Sequence, residues 1–184
     1  MSREALDFLL SRRSRPAKLL SPPGPARDEL TTLLTAAARV PDHGKLVPWR
    51  FVVLDGEGPT HFAAAIRARA ADVGADPDKG ALAFEQAPVV VAVVASPKPS
   101  DKIPAIEQTL SGGAVALGLV NAALAAGWGA SWMTGWTAYD RPLVEGTLGL
   151  EPGETVIGYI YLGTCDATPP DRPRPDVAAL TTWL

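Results

Sequence analysis

The 184-residue chain has a single cysteine, Cys165, and only two histidines, His43 and His61. One thiol excludes an internal disulfide, and the count fits a reducing compartment. Basic excess is missing too: 17 Lys and Arg stand against 20 Asp and Glu, a net charge of -3, so nucleic acid is not an expected partner. There is no Walker loop, no G-x-G-x-x-G after a strand, no H-E-x-x-H, no C-x-x-C and no G-x-S-x-G. A Rossmann dinucleotide site and the common hydrolase signatures are therefore disfavoured. The opening Met1-Ser2-Arg3-Glu4 is followed by Asp7, Arg12 and Arg13, without the apolar core of a signal peptide, so the expected location is cytoplasmic.

Charge is absent from one long run, Thr109 to Tyr139. Roughly 20 apolar residues suffice to cross a bilayer. This run, however, is interrupted by Asn121 and by Gly112, Gly113, Gly118, Gly127 and Gly129, is rich in alanine and lacks flanking basic clusters. A helix buried on all sides, followed by a buried strand, accounts for it better, and no membrane partner is expected.

The remaining elements follow from periodicity. Leu6, Phe8, Leu9 and Leu10 predict a short helix over 3–12 with a buried face. Leu30, Leu33, Leu34 and Ala37 fall at i, i+3, i+4 and i+7, an amphipathic helix. Strands are expected at 50–54, 88–95, 130–134 and 155–162. The run from Pro88 to Ala95 is so continuously apolar that both its faces must be covered. Helices are expected from Pro59, over 78–86, over about 103–126, and after a cap at Asp140. The tail from Gly163 to Leu184 has little periodicity yet ends in Leu180 and Trp183, which need cover. No repeat and no second domain is visible, and the alternation of strands and helices makes the class α+β or α/β.

Four constellations could carry chemistry. Arg12-Arg13-Ser14-Arg15, with Lys18 beyond, is a cationic patch with a hydroxyl, suited to a phosphate monoester; the alternative is a solvated charge run. The segment Arg39-Val40-Pro41-Asp42-His43-Gly44-Lys45-Leu46-Val47-Pro48-Trp49-Arg50-Phe51 places a carboxylate beside an imidazole, as a general base pair, as two metal ligands, or as ordinary loop residues. Two ligands fall short of the three or four that a metal site takes. Gly127 to Trp136 sets three tryptophans among glycines, which fits either close approach of a flat ligand or core packing. Arg172-Pro173-Arg174-Pro175 is a basic, extended turn in the tail.

Taken in order, Arg12-Arg13-Ser14, the run Arg39-x-Pro41-Asp42-His43 with Pro48-Trp49-x-Phe51, the segment from Gly113 to Gly129, and Val156 to Gly163 resemble the nitroreductase family, in its short bacterial branch, over nearly the whole chain. The resemblance implies an α+β fold: a mixed sheet flanked by helices, with a long central helix at a homodimer interface. It implies one FMN-binding domain over 1–184, with 163–184 as an arm packing on the partner subunit.

By the same resemblance, Arg12, Arg13 and Ser14 hold the FMN phosphate side, joined by Arg172 and Arg174. Arg39 and His43 reach the partner's flavin, Trp132, Met133 and Thr134 pass along the ring, and Lys18 stands near its pyrimidine edge. Larger relatives often carry Ser, Asn and Gln where this chain has Asp42 to Val47, so polar contacts to the flavin differ. The activity implied is ping-pong hydride transfer from NADH or NADPH through flavin N5 to a small nitro, quinone or similar acceptor, with no catalytic side chain and no metal. The rival readings are a flavin-binding protein with little reductase activity, a metal hydrolase built on Asp42 and His43, and a structural dimer module.

Overall fold

The computed structural model describes residues 3–184; Met1 and Ser2 lie outside it. Four strands, β1 (Trp49–Leu54), β2 (Val89–Ala95), β3 (Gly129–Met133) and β4 (Thr155–Gly163), form one sheet in the order β1-β2-β4-β3. All seven residues of β2 are buried. Because successive side chains point to opposite faces, such a strand demands a covering layer on each side.

The layers are built by α1 (Arg3–Ser11), α2 (Arg27–Ala37), α3 (Gly58–Val73), α4 (Pro77–Gln86), α5 (Ala105–Ala125), α6 (Trp136–Tyr139) and α7 (Arg141–Leu148). Val90, Ala92 and Val94 pack with Tyr159 and Tyr161 against Phe62, Ile66 and Phe84 of α3 and α4 and against α6 and α7. Val89, Val91 and Val93 pack with Ile160 and Leu162 against Leu30 and Leu33 of α2 and Val115 and Leu119 of α5. Local chemistry sets the helix ends. The Asp76 carboxylate accepts from the Asp78 and Lys79 amides with Pro77 in the first turn, and Asp140 accepts from the Leu143 amide. Gly74 and Gly149 close α3 and α7 at φ 64° and 61°, the left-handed position that glycine occupies without strain.

The helix-flanked sheet of an α+β fold is therefore as expected. Strand direction is simpler than a mixed sheet: all three pairings within the described chain are antiparallel. Among the described residues α5 is the one helix long and apolar enough to cross a membrane. In the fold it lies between α2 and the sheet, and it comes close enough to the Ala37 carbonyl that a β-carbon at Gly118 would stand 3.2 Å away. Two expectations fail. α5, expected to be buried on all sides, leaves Ile106, Leu110 and Leu117 exposed on its outer face. The face of α1 is not buried: Leu6, Leu9 and Leu10 are 57%, 56% and 72% exposed, because no other part of the described chain packs over them.

An ion pair ties β1 to the turn before β4. Arg50 donates through Nε and Nη2 to the two carboxylate oxygens of Glu154 at 2.8 and 2.7 Å, and the Glu154 side chain is nearly buried. The Arg50 hydrogen bonds pull the Glu154 carboxyl down to about 2, from an ordinary 4.5. A depressed carboxyl pKa stabilises the fold above the unfolded value and ceases to do so as pH falls through the folded one. Glu154→Gln is expected to cost about 2–3 kcal/mol at neutral pH, since it leaves Arg50 half-buried without its counter-charge. Urea unfolding should show the gap between the two proteins closing between pH 4.5 and 2.

Candidate active site

Beyond α1 the chain runs along the free edge of β3. The Arg15 amide donates to the Ala130 carbonyl at 2.7 Å, and the Arg15 guanidinium donates to the Arg13 carbonyl at 3.0 Å. The tail returns to the same place. Arg13 donates to the Pro170 carbonyl and pairs with Asp171 at 3.4 Å, and Arg174 donates to the same carboxylate at 2.9 Å. Arg12, Arg13, Ser14, Arg172 and Arg174 thus line one recess of about 130 Å³.

Four guanidiniums share this recess, and Asp171 is the one carboxylate paired with any of them among the described residues. Arg12 Nη2 donates to Ser14 Oγ at 3.1 Å, but its Nε is buried with no partner. Burial, then the fields of Arg174, Arg13, Arg172 and Arg15, lowers the pKa of Arg12. The cluster is electrostatically incomplete. It suits a multiply charged anion with several acceptor oxygens, which a phosphate monoester supplies.

A second recess, about 350 Å³, opens where β3 ends. Met133, Thr134 and Gly135 form one wall, Lys79, Gly80 and Phe84 of α4 the other, and Tyr159 and Tyr161 the floor. Both phenols are held protonated by burial, and the Tyr159 hydroxyl donates to the Thr137 carbonyl at 3.0 Å. From Ala130, beside the cationic recess, to Met133 is three residues of strand, about 10 Å. A ligand with an anionic end and a flat, largely apolar end could span the two.

A third group lies on the other side of the sheet. The loop from Pro41 to Trp49 is anchored by Ser111 of α5, whose hydroxyl donates to the Pro41 carbonyl at 2.8 Å and accepts from the Trp49 indole at 3.2 Å. Within it Lys45 and Val47 have φ of 55° and 48°, a strained backbone for residues with side chains. The Asp42 carboxylate is spent holding this turn, accepting from the Leu46 and Val47 amides at 3.1 and 2.8 Å. It is not aimed at His43, whose Nδ1 lies 2.7 Å from Glu107 Oε2. Among the described residues no three His, Cys, Asp or Glu groups converge to hold a metal. The Asp42–His43 metal and general-base readings lose their carboxylate.

The candidate residues therefore separate. Arg12, Arg13, Ser14, Arg172 and Arg174 come together, and Met133 and Thr134 line the second recess. Trp132 does not join them. It points to the opposite face, where a β-carbon on Gly158 would collide with its indole. Alternation along β3 requires this once Met133 faces the recess. Lys18 sits exposed on the turn Ala17–Leu19 and lines neither recess, and Arg39 is exposed just after α2. His43 borders a shallow groove with Glu107, Leu110 and Ser111. Lys79 and Glu107 were not singled out from sequence. Only Asp76-Pro77, readable as a helix start, hinted at the position of Lys79.

The fold is thus a three-layer α+β architecture that sets an arginine-lined cationic recess beside an aromatic one. The nitroreductase family profile matches residues 9–164. YdjA of Escherichia coli strain K12, which bears the name of an NAD(P)H nitroreductase, is 35% identical over 164 residues, 88% of each chain. A nitroreductase-like protein from Bacillus cereus superposes with a TM-score of 0.82 at 22% identity, over 97% of this chain and 95% of that one. A variant of the FMN and NADPH-dependent nitroreductase NfnB from sphigopyxis sp. strain HMH superposes at 0.74 with 18% identity, over 97% and 98%. The chain belongs to the nitroreductase family, a family of oxidoreductases.

Ser111 holds both ends of the strained loop. Ser111→Ala should lower stability by about 1 kcal/mol, because it removes the partner of the part-buried Trp49 indole N–H and of the Pro41 carbonyl together. Thermal unfolding would measure the loss.

Proposed function

We propose that the protein is a cytoplasmic FMN-dependent oxidoreductase that takes reducing equivalents from NADH or NADPH and passes them to a small nitro, quinone or similar acceptor. The observation that carries this reading is the cationic recess with its unpartnered Arg12 Nε, one strand-length from an aromatic recess of ring size. Its donors fit the FMN phosphate: Arg12, Arg13, Arg172 and Arg174 offer planar paired N–H groups, and Ser14 adds a hydroxyl. Met133 and Thr134 border the ring. Bound FMN would supply the redox chemistry, accepting hydride at N5 from the nicotinamide and returning it to the acceptor in a ping-pong cycle. The chain's own part is to anchor the phosphate, exclude water from one ring face and leave the other open. Neither tyrosine of the second recess is placed as a general acid: both are buried, and the Tyr159 hydroxyl donates to the Thr137 carbonyl.

The working unit is a homodimer. Ile106, Leu110 and Leu117 form an exposed apolar stripe on α5, the face of α1 is uncovered, and Leu180 and Trp183 of the tail are 75% and 91% exposed. Covering all three with a second copy removes a large apolar surface from water. Of the arm from residue 163 onward, the part through Arg174 is docked on its own chain at Ser21 and Arg13, and the apolar end beyond it, with Val177, Leu180 and Trp183, packs on the partner. His43 shares its groove with Leu110, so this interface delivers His43, with Arg39 nearby in the chain, toward the partner's ring.

The purified protein should show flavin absorption bands that bleach on anaerobic addition of NADPH or NADH. A colourless protein that takes up no added FMN would sink the proposal, and a yellow protein that no nicotinamide bleaches would make it a flavin binder without reductase activity. Arg12→Ala is expected to weaken FMN binding by about 1.5–3 kcal/mol, the effect of one charge-assisted hydrogen bond. Leu110→Asp should shift the protein from dimer to monomer in sedimentation velocity.

A further inference from the structure

We propose that His43 of one subunit is the proton donor for the acceptor reduced on the partner subunit's flavin, and that Glu107 is the residue that positions it. The inference deepens the flavin and homodimer reading above and rests on it; the family resemblance by itself implies no catalytic side chain. His43 Nδ1 lies 2.7 Å from Glu107 Oε2, and the pair ties the turn His43–Lys45 to the first turn of α5 across 64 residues of chain. A carboxylate on Nδ1 fixes the plane of an imidazole and the sense of its hydrogen bond, which leaves Nε2 as the nitrogen that exchanges a proton. Among the described residues Nε2 has no hydrogen-bond partner, and the His43 side chain is 63% exposed. The carboxylate–imidazole pair suggested by the sequence therefore exists, with Glu107 in the place of Asp42, whose oxygens are spent on the Leu46 and Val47 amides.

The surroundings hold the imidazole in place. Its turn carries the strained Lys45 and Val47, a backbone that persists only where its neighbours over-determine it, and Ser111 pins the loop to α5 at the Pro41 carbonyl and the Trp49 indole. The groove that His43 and Glu107 border also holds Leu110, part of the exposed stripe of α5 that a second copy covers. His43 lines neither recess of its own chain, so an acceptor comes within its reach only across the subunit interface. The two-electron reduction of a quinone shows the balance. A hydride, with its electron pair, passes from N5 of the reduced flavin to one carbonyl oxygen, the Nε2 proton passes to the other, and the hydroquinone leaves. The flavin is left oxidised and the imidazole neutral, with its Nδ1–H still on Glu107 until water returns the Nε2 proton.

The test uses the FMN-loaded dimer, reduced anaerobically and then mixed with benzoquinone, which takes up protons with its electrons, or with ferricyanide, which takes electrons alone. His43→Gln should slow oxidation by benzoquinone by about 100-fold, the low end of what a positioned acid contributes, and slow oxidation by ferricyanide far less. Glu107→Gln should show the same split at about 10-fold, since the acid then keeps its place only part of the time, and Glu107→Asp should recover some of the loss. Equal losses with the two acceptors in His43→Gln would overturn the assignment and leave His43 a residue that only seats the ring. Wild-type benzoquinone rates in Glu107→Gln would remove Glu107 from its positioning role. Failure of the wild-type chain to bind FMN, or its sedimentation as a monomer when loaded, would instead bring down the reading on which the assignment rests.

Discussion

A strand with no solvent face governs this molecule. Every side chain of β2 is dry, so neither side of the sheet can be left open, and the helices divide accordingly: α2 and α5 on one side, α3, α4, α6 and α7 on the other. With both faces filled, chemistry has only the edges and ends of the sheet to occupy. The cationic recess lies against the edge of β3 and the aromatic recess at its C-terminal end, where the strand stops and α4 comes across. Burial of the centre thus decides where a ligand can be met.

Much of this was legible in the residues. The run from Pro88 to Ala95 announces its own burial, the spacing of Leu30, Leu33 and Ala37 orients α2, and the glycine-punctuated, uncharged segment after Thr109 separates into one long helix and one strand. The anion site was legible as well, because clustered arginines carry their meaning wherever they fold. What the residues could not convey was pairing across distance. Leu6, Leu9 and Leu10 have the spacing of a buried helix face, and periodicity says that a face is apolar without saying which chain covers it. Asp42 stands beside His43 in sequence, yet its oxygens satisfy the amides of a turn that only the folded loop creates.

Trp132 and Lys79 illustrate the same limit from two directions. Neighbours along a strand look together on the page and are apart in space, so Trp132 and Met133 serve different faces. Lys79 is more than 50 residues from Thr134 in the chain and yet shares a recess with it. Family membership fixes the fold and the broad chemistry, while which side chains line the second recess depends on how α4 is seated against the end of β3.

The meeting of Arg13 with the Pro170–Asp171 segment joins residues 157 positions apart. Two of the four guanidiniums in the cationic recess arrive on that returning tail, which after Cys165, packed against the core, has no other described anchor beyond its own short-range turns. Fraying at this single contact is a low-energy event, far cheaper than unfolding the sheet. It would carry off two of the four guanidiniums, together with Asp171, without disturbing a side chain of the core. On the flavin reading, grip on a phosphate would then register whether the tail is docked, and whatever tugs on, clips or shelters that segment would set occupancy from a distance.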